Sequence, residues 1–117
     1  MDYQHETLAA GRWHTMTLAE QLGNVGSEVS RARKAQGKDA PRYEAAMVRA
    51  FELLDLTLAD PRWQKARRLK EISRARELLG DAYYGGTSYG SNLEDLDRYF
   101  YYFAIAARNP FSTQIVA

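Results

Sequence analysis

The chain has 117 residues, with 16 basic side chains against 15 acidic ones, a net charge of +1 and no cysteine. That length suits one domain built on a single core. The balanced charge gives no global attraction to nucleic acid or acidic membranes, and the missing cysteines exclude disulfides, thiolate catalysis and cysteine-held zinc.

The N-terminal MDYQHETLAA carries acids where a secretory signal needs bases. No stretch approaches the ~20 apolar residues of a membrane helix, so a cytoplasmic protein without a membrane partner is expected. Residues 1–16 are weakly patterned and read as an arm, with Gly11 interrupting any early helix and Trp13 docking it. Thr17-Leu18-Ala19-Glu20 matches a capping box, in which the Thr17 hydroxyl accepts from the Glu20 amide and the Glu20 carboxylate returns to the cap. From there Leu18, Leu22, Val25, Val29 and Ala32 recur at steps of four and three, predicting a bundle helix that ends near Gly37. Gly23 and Gly26 lie inside it, each costing about 1 kcal/mol relative to alanine. The close approach of another helix would compensate.

Asp39 caps a second helix, with Pro41 in its first turn, where the absent amide hydrogen is harmless. Its apolar arc, Tyr43, Ala46, Met47, Ala50, Leu53, Leu54 and Thr57, is wide enough for two neighbours. Asp60-Pro61 is expected to end this helix and start the third almost without a linker, with Asp60 as cap. Leu69, Ile72, Ala75, Leu79 and Tyr83 form the apolar face of the third helix, and Gly85-Gly86 supply its C-terminal cap. After the loop GGTSYGS, Ser91-Asn92-Leu93-Glu94 offers a second capping box for a fourth helix from Leu93 to about Arg108, stopped by Asn109-Pro110. Residues 109–117 form an irregular tail. Four amphipathic helices with short links predict an all-α, antiparallel four-helix bundle in a single domain.

The densest charge lies between Asp60 and Gly86, where Arg62, Lys65, Arg67, Arg68, Lys70, Arg74 and Arg76 outnumber Asp60, Glu71, Glu77 and Asp81. At ~100° per residue, Trp63, Arg67, Lys70 and Arg74 share one stripe, which offers phosphate contacts and an aromatic for stacking. Glu71, Glu77 and Asp81 answer much of that charge along the same helix, which favours a solvated face or an oligomer contact. Lys65 and Arg76 project toward the apolar side. Lys65 snorkels to water, whereas Arg76 needs a partner, with Asp97 first and Glu28 second. Such a pair would fix helix register more than it would add stability.

The sequence assigns no catalytic, cofactor-binding or metal-ligating residue. Gly85-x-x-x-x-Gly90-Ser91 has phosphate-loop spacing but lacks the lysine and follows a helix. His5 and His14 have no helical ligand spacing, no Glu-x-x-His pair supports a di-iron bundle, and no Arg precedes a His by four to six residues, as in helical nucleases of the HEPN type. No G-x-S-x-G supports serine catalysis. Tyr99 to Phe103 cannot all face one core, so Tyr101 and Tyr102, with Ile105, are expected to point outward as a subunit contact or as scattered exposed residues.

The stretches WHTMTLAEQLGNVGSEVSRA and RLKEISRARELLGDAYYG resemble small helical-bundle proteins of bacteria that have no assigned function. By pattern, Thr17 to Arg108 is similar in architecture to the four-helix proteins encoded within 23S ribosomal RNA genes as intervening sequences, and to the accessory protein of diversity-generating retroelements. The resemblance implies ring-like homo-oligomers with basic surfaces for RNA or a reverse transcriptase, and the near-neutral charge departs from such a surface. The expected function is a non-enzymatic, homo-oligomeric interaction or scaffold module whose partner is a second copy or another protein. The alternative is an RNA- or DNA-binding bundle using Arg67, Lys70 and Arg74. A small-molecule enzyme has no residue constellation behind it.

Overall fold

The computed structural model describes residues 11–85 and 92–108. The expected arm up to residue 10, the loop over residues 86–91 and the tail from residue 109 lie outside them. The described chain is helical: α1 spans Leu18–Ala35, α2 Ala40–Leu58, α3 Ala66–Tyr83 and α4 Leu93–Arg108, with a 3-10 turn at Pro61–Trp63. None of these helices is long and apolar enough to cross a membrane.

Local chemistry sets most of the boundaries. The Thr17 hydroxyl accepts from the Glu20 amide at 3.1 Å, and the Glu20 carboxylate accepts from the Thr17 amide at 2.8 Å. Both arms of the expected capping box therefore start α1. Gly37, at φ +78°, lets the chain leave α1 and enter α2, where Asp39 Oδ1 accepts from the Arg42 amide at 3.1 Å. At α4 the cap is Asn92, whose Oδ1 accepts from the Asp95 amide at 2.9 Å. The cap thus stands one residue beyond the expected cap, Ser91, which lies outside the described residues.

Two local expectations are corrected. Residues 11–13 are helical, so Gly11 does not break the chain there. The link from α2 to α3 is not minimal either. Asp60 caps the 3-10 turn rather than α3, accepting from the Arg62 amide at 3.0 Å, and α3 begins only at Ala66, with no side-chain cap from Lys65. The cause is tertiary, because the Asp60 carboxylate is drawn inward by α1. The Trp63 and Gln64 amides then bond to the oxygens of Asp60 and Pro61, at 3.1 and 3.4 Å, in the i to i+3 pattern.

The core is centred on α1. Leu22, Val25, Val29 and Ala32 are fully buried and meet Met47, Ala50 and Leu54 of α2, Ile72, Ala75 and Leu79 of α3, and Leu93, Leu96 and Phe100 of α4. Full burial of each large side chain contributes ~1.5–3 kcal/mol. The main packing of α1 is against α2 and α4, while α3 rests chiefly on α2. The two helical glycines of α1 mark the contact with α4. A Cβ on Gly23 would lie 3.1 Å from the Ala104 Cα, and one on Gly26 would lie 2.6 Å from the Phe100 Cβ. The helix that needed to approach is therefore α4.

Candidate functional surfaces

Where α1 begins, buried polar groups from three segments meet. Gln21, Thr57 and Asp60 are fully buried, and Trp13 nearly so. Gln21 donates to the Asp60 carboxylate at 2.9 Å and to the Trp13 carbonyl at 2.8 Å, and its own oxygen accepts from Trp63 Nε1 at 2.8 Å. Trp13 Nε1 donates to the Thr57 hydroxyl at 3.0 Å, which passes a bond to the Leu53 carbonyl at 2.9 Å. Arg62 closes the cluster by donating to both Asp60 oxygens, at 3.1 and 2.7 Å, and to the Met16 carbonyl at 2.6 Å.

Burial alone would raise the Asp60 pKa. The hydrogen bonds from Arg62 and Gln21, together with the guanidinium charge, outweigh it and hold the group at about 2. Every polar arm of Gln21 and Asp60 is used, so this is a structural lock. The sequence shows the expected docking of Trp13 but not Gln21, whose polar side chain sits beside Leu22 with nothing local to mark it as buried.

The expected basic stripe is shorter than predicted. Trp63 belongs to the 3-10 turn, not to α3, and it is engaged: its indole donates to Gln21, and the Arg62 and Arg68 guanidinium carbons lie 4.5 and 5.5 Å from its ring centroid. It is not open for base stacking. Arg67, Lys70 and Arg74 are exposed on α3.

The proposed Arg76–Asp97 pair does not form. Arg76 Nε instead donates to Asp55 Oδ1 at 2.7 Å on α2, and its guanidinium carbon lies 5.2 Å from the Phe51 ring centroid. Asp97 accepts from Arg33 Nε of α1 at 2.6 Å. The reason is the order of packing, since α3 lies on α2 and touches α4 little, so a side chain on its flank finds an α2 carboxylate first. Glu28, the second candidate, is buried and holds Arg31 and Arg49 at 2.8 and 3.3 Å.

On the outer side of α4, Tyr101, Tyr102 and Ile105 are 56%, 66% and 42% exposed, as the crowding of aromatics implied. Their neighbours turn in: Phe100 is buried, and Tyr99 makes edge contacts with Phe100 and Phe103 at 5.1 and 5.4 Å. The outer face is framed by Glu94 and Asp95 in the first turn and Arg108 in the last.

A groove of about 760 Å³ opens between α1 and α2, lined by Glu28, Arg31 and Lys34 on one wall and by Arg42 and Arg49 on the other, with Lys38 and Asp39 at the turn. Its floor is Ala35, Ala45 and Ala46. Among the described residues no three His, Asp or Glu side chains gather in a way that would hold a metal ion. No protein-family model, curated protein or solved structure matches the chain.

Proposed function

We propose that this protein is a non-enzymatic, cytoplasmic interaction or scaffold module, an antiparallel four-helix bundle that self-associates through the outer face of α4. The antiparallel arrangement is supported by residue pairings that ascend one helix and descend its neighbour. Gly23 and Gly26 approach Ala104 and Phe100, and Tyr83 and Arg76 of α3 meet Glu44 and Asp55 of α2.

The observation that carries self-association is the contiguous exposure of Tyr101, Tyr102 and Ile105 on a helix with opposite charges at its ends. Two copies of α4 laid antiparallel would centre Tyr101 and Tyr102 on a two-fold axis and set Glu94 and Asp95 of each against Arg108 of the other. That is the self-complementarity an isologous contact requires. Tyrosines at the centre with charges at the rim are also the usual interface anatomy.

Light scattering on the eluting full chain tests this. The wild type is expected as a dimer or a larger assembly that persists at high salt, because tyrosines hold its centre and the charges only its rim, and the Tyr101→Glu, Tyr102→Glu double variant as a monomer. A monomeric wild type would overturn the reading. The alternative, nucleic-acid binding along α3, draws support from the exposure of Arg67, Lys70 and Arg74. It requires oligonucleotide affinity that falls steeply with salt and weakens in Arg67→Glu.

A further inference from the structure

We propose that the groove between α1 and α2 is a binding site for a compact ligand carrying two or more phosphate groups. None of its lining residues belongs to the α3 stripe, and it adjoins the α4 side through Lys34, which also lines a depression with Glu94 and Tyr101. Its about 760 Å³ falls within the ~300–1,000 Å³ of small-molecule clefts. Five cations line it, Arg31, Lys34, Lys38, Arg42 and Arg49, and they come from both walls and the turn that joins them.

The two acids in the lining are already engaged, and they serve to aim the bases. Glu28, buried beneath the rim, holds Arg31 Nη1 at 2.8 Å and Arg49 Nε at 3.3 Å through the same carboxylate oxygen. One buried negative charge thus gathers two guanidinium groups that have five N–H donors each, leaving most of those donors for an anion. Asp39 caps α2 and holds Arg42 Nε at 3.4 Å. Arg42 and Arg49 stand seven residues apart on α2, about 10 Å along the axis, so cations mark both ends of the groove. Guanidinium forks and ammonium groups set over an alanine floor suit phosphate oxygens, which arginine binds in a two-pronged way.

The charge and length of the groove match a compact ligand. The lining has five bases against two acids, a local +3. The bases that α2 contributes span only about 10 Å along its axis, the reach of a few linked phosphates rather than of an extended nucleic-acid backbone.

Isothermal titration of the full chain with tripolyphosphate, at fixed moderate ionic strength, tests the site. The expected result is one equivalent bound per chain, weakened at least tenfold in Lys38→Glu, Arg42→Glu and less than twofold in Arg67→Glu, Lys70→Glu, which makes the same change in net charge on α3. Thermal melts monitor folding of each variant. Lys34→Gln, Lys38→Gln provides a milder change that leaves the Asp39 pairing intact, with at least threefold weakening expected. Absence of tripolyphosphate binding, or equal loss in the groove and α3 variants, would overturn the proposal. So would a single-stranded oligonucleotide that binds more tightly than tripolyphosphate, which would point instead to a phosphodiester backbone.

Discussion

Gln21 and Asp60, 39 residues apart in the chain, share a hydrogen bond of 2.9 Å with both side chains fully buried. Through it the first turn of α1 grips the carboxylate that follows α2. The Asp60 pKa is lowered from 3.8 to about 2, so the ionised form is the one folding favours. Its contribution, about 2 kcal/mol by linkage, is complete above pH 3.8 and is lost as pH falls through about 2. Urea denaturation of the wild type should show this acid-dependent component, and Asp60→Asn should remove it while costing about 2–3 kcal/mol at neutral pH. A variant with unchanged acid dependence would show that another carboxylate is responsible.

Glycine-to-alanine changes at two helical positions should have opposite signs. At Gly26 a methyl group would sit 2.6 Å from the Phe100 Cβ, which cannot swing aside as a side-chain tip would. Separating α1 from α4 is expected to cost about 1–3 kcal/mol, exceeding the ~1 kcal/mol that alanine contributes to the helix. At Gly80 of α3 a Cβ meets nothing within 4 Å, so Gly80→Ala should stabilise by about 0.5–1 kcal/mol. Chemical denaturation midpoints that move the same way in both variants would contradict this account of the packing.

Double-mutant cycles discriminate the ion pairs. Arg33 with Asp97, and Arg76 with Asp55, should each show a coupling of about 0.3–1 kcal/mol, the scale of partly exposed pairs. Arg76 with Asp97 should show none. A coupling above experimental error in that third cycle would place α3 closer to α4 than the packing described above.

Features that depend on a few consecutive residues were legible before the fold was known. The Thr17 capping box, the Asp39 cap and the turn at Gly37 all require only neighbours in sequence. The apolar seams of α1 to α3 follow from periodicity for the same reason, and so does the outward turn of Tyr101 and Tyr102. What failed depends on which helix lies beside which. The sequence marks Arg76 as a base that needs a partner, but its choice of Asp55 follows from α3 packing on α2, and no spacing within α3 encodes that neighbour. The start of α3 moved because Asp60 is held by Gln21, so a local capping signal was diverted by a distant amide. The α1–α2 groove was hidden too, since Arg31 and Arg49 converge only once Glu28 is buried between them.

The lock at the start of α1 also contains both tryptophans of the chain, Trp13 and Trp63, each with its indole N–H engaged there. Their emission is therefore a local optical reporter on one end of the molecule, while the helical backbone signal averages over all of it. Loosening of the turn between α2 and α3 would shift the fluorescence before circular dichroism changed, and global unfolding would move the two together. The unmodified protein thus carries its own probe for separating partial opening from full denaturation.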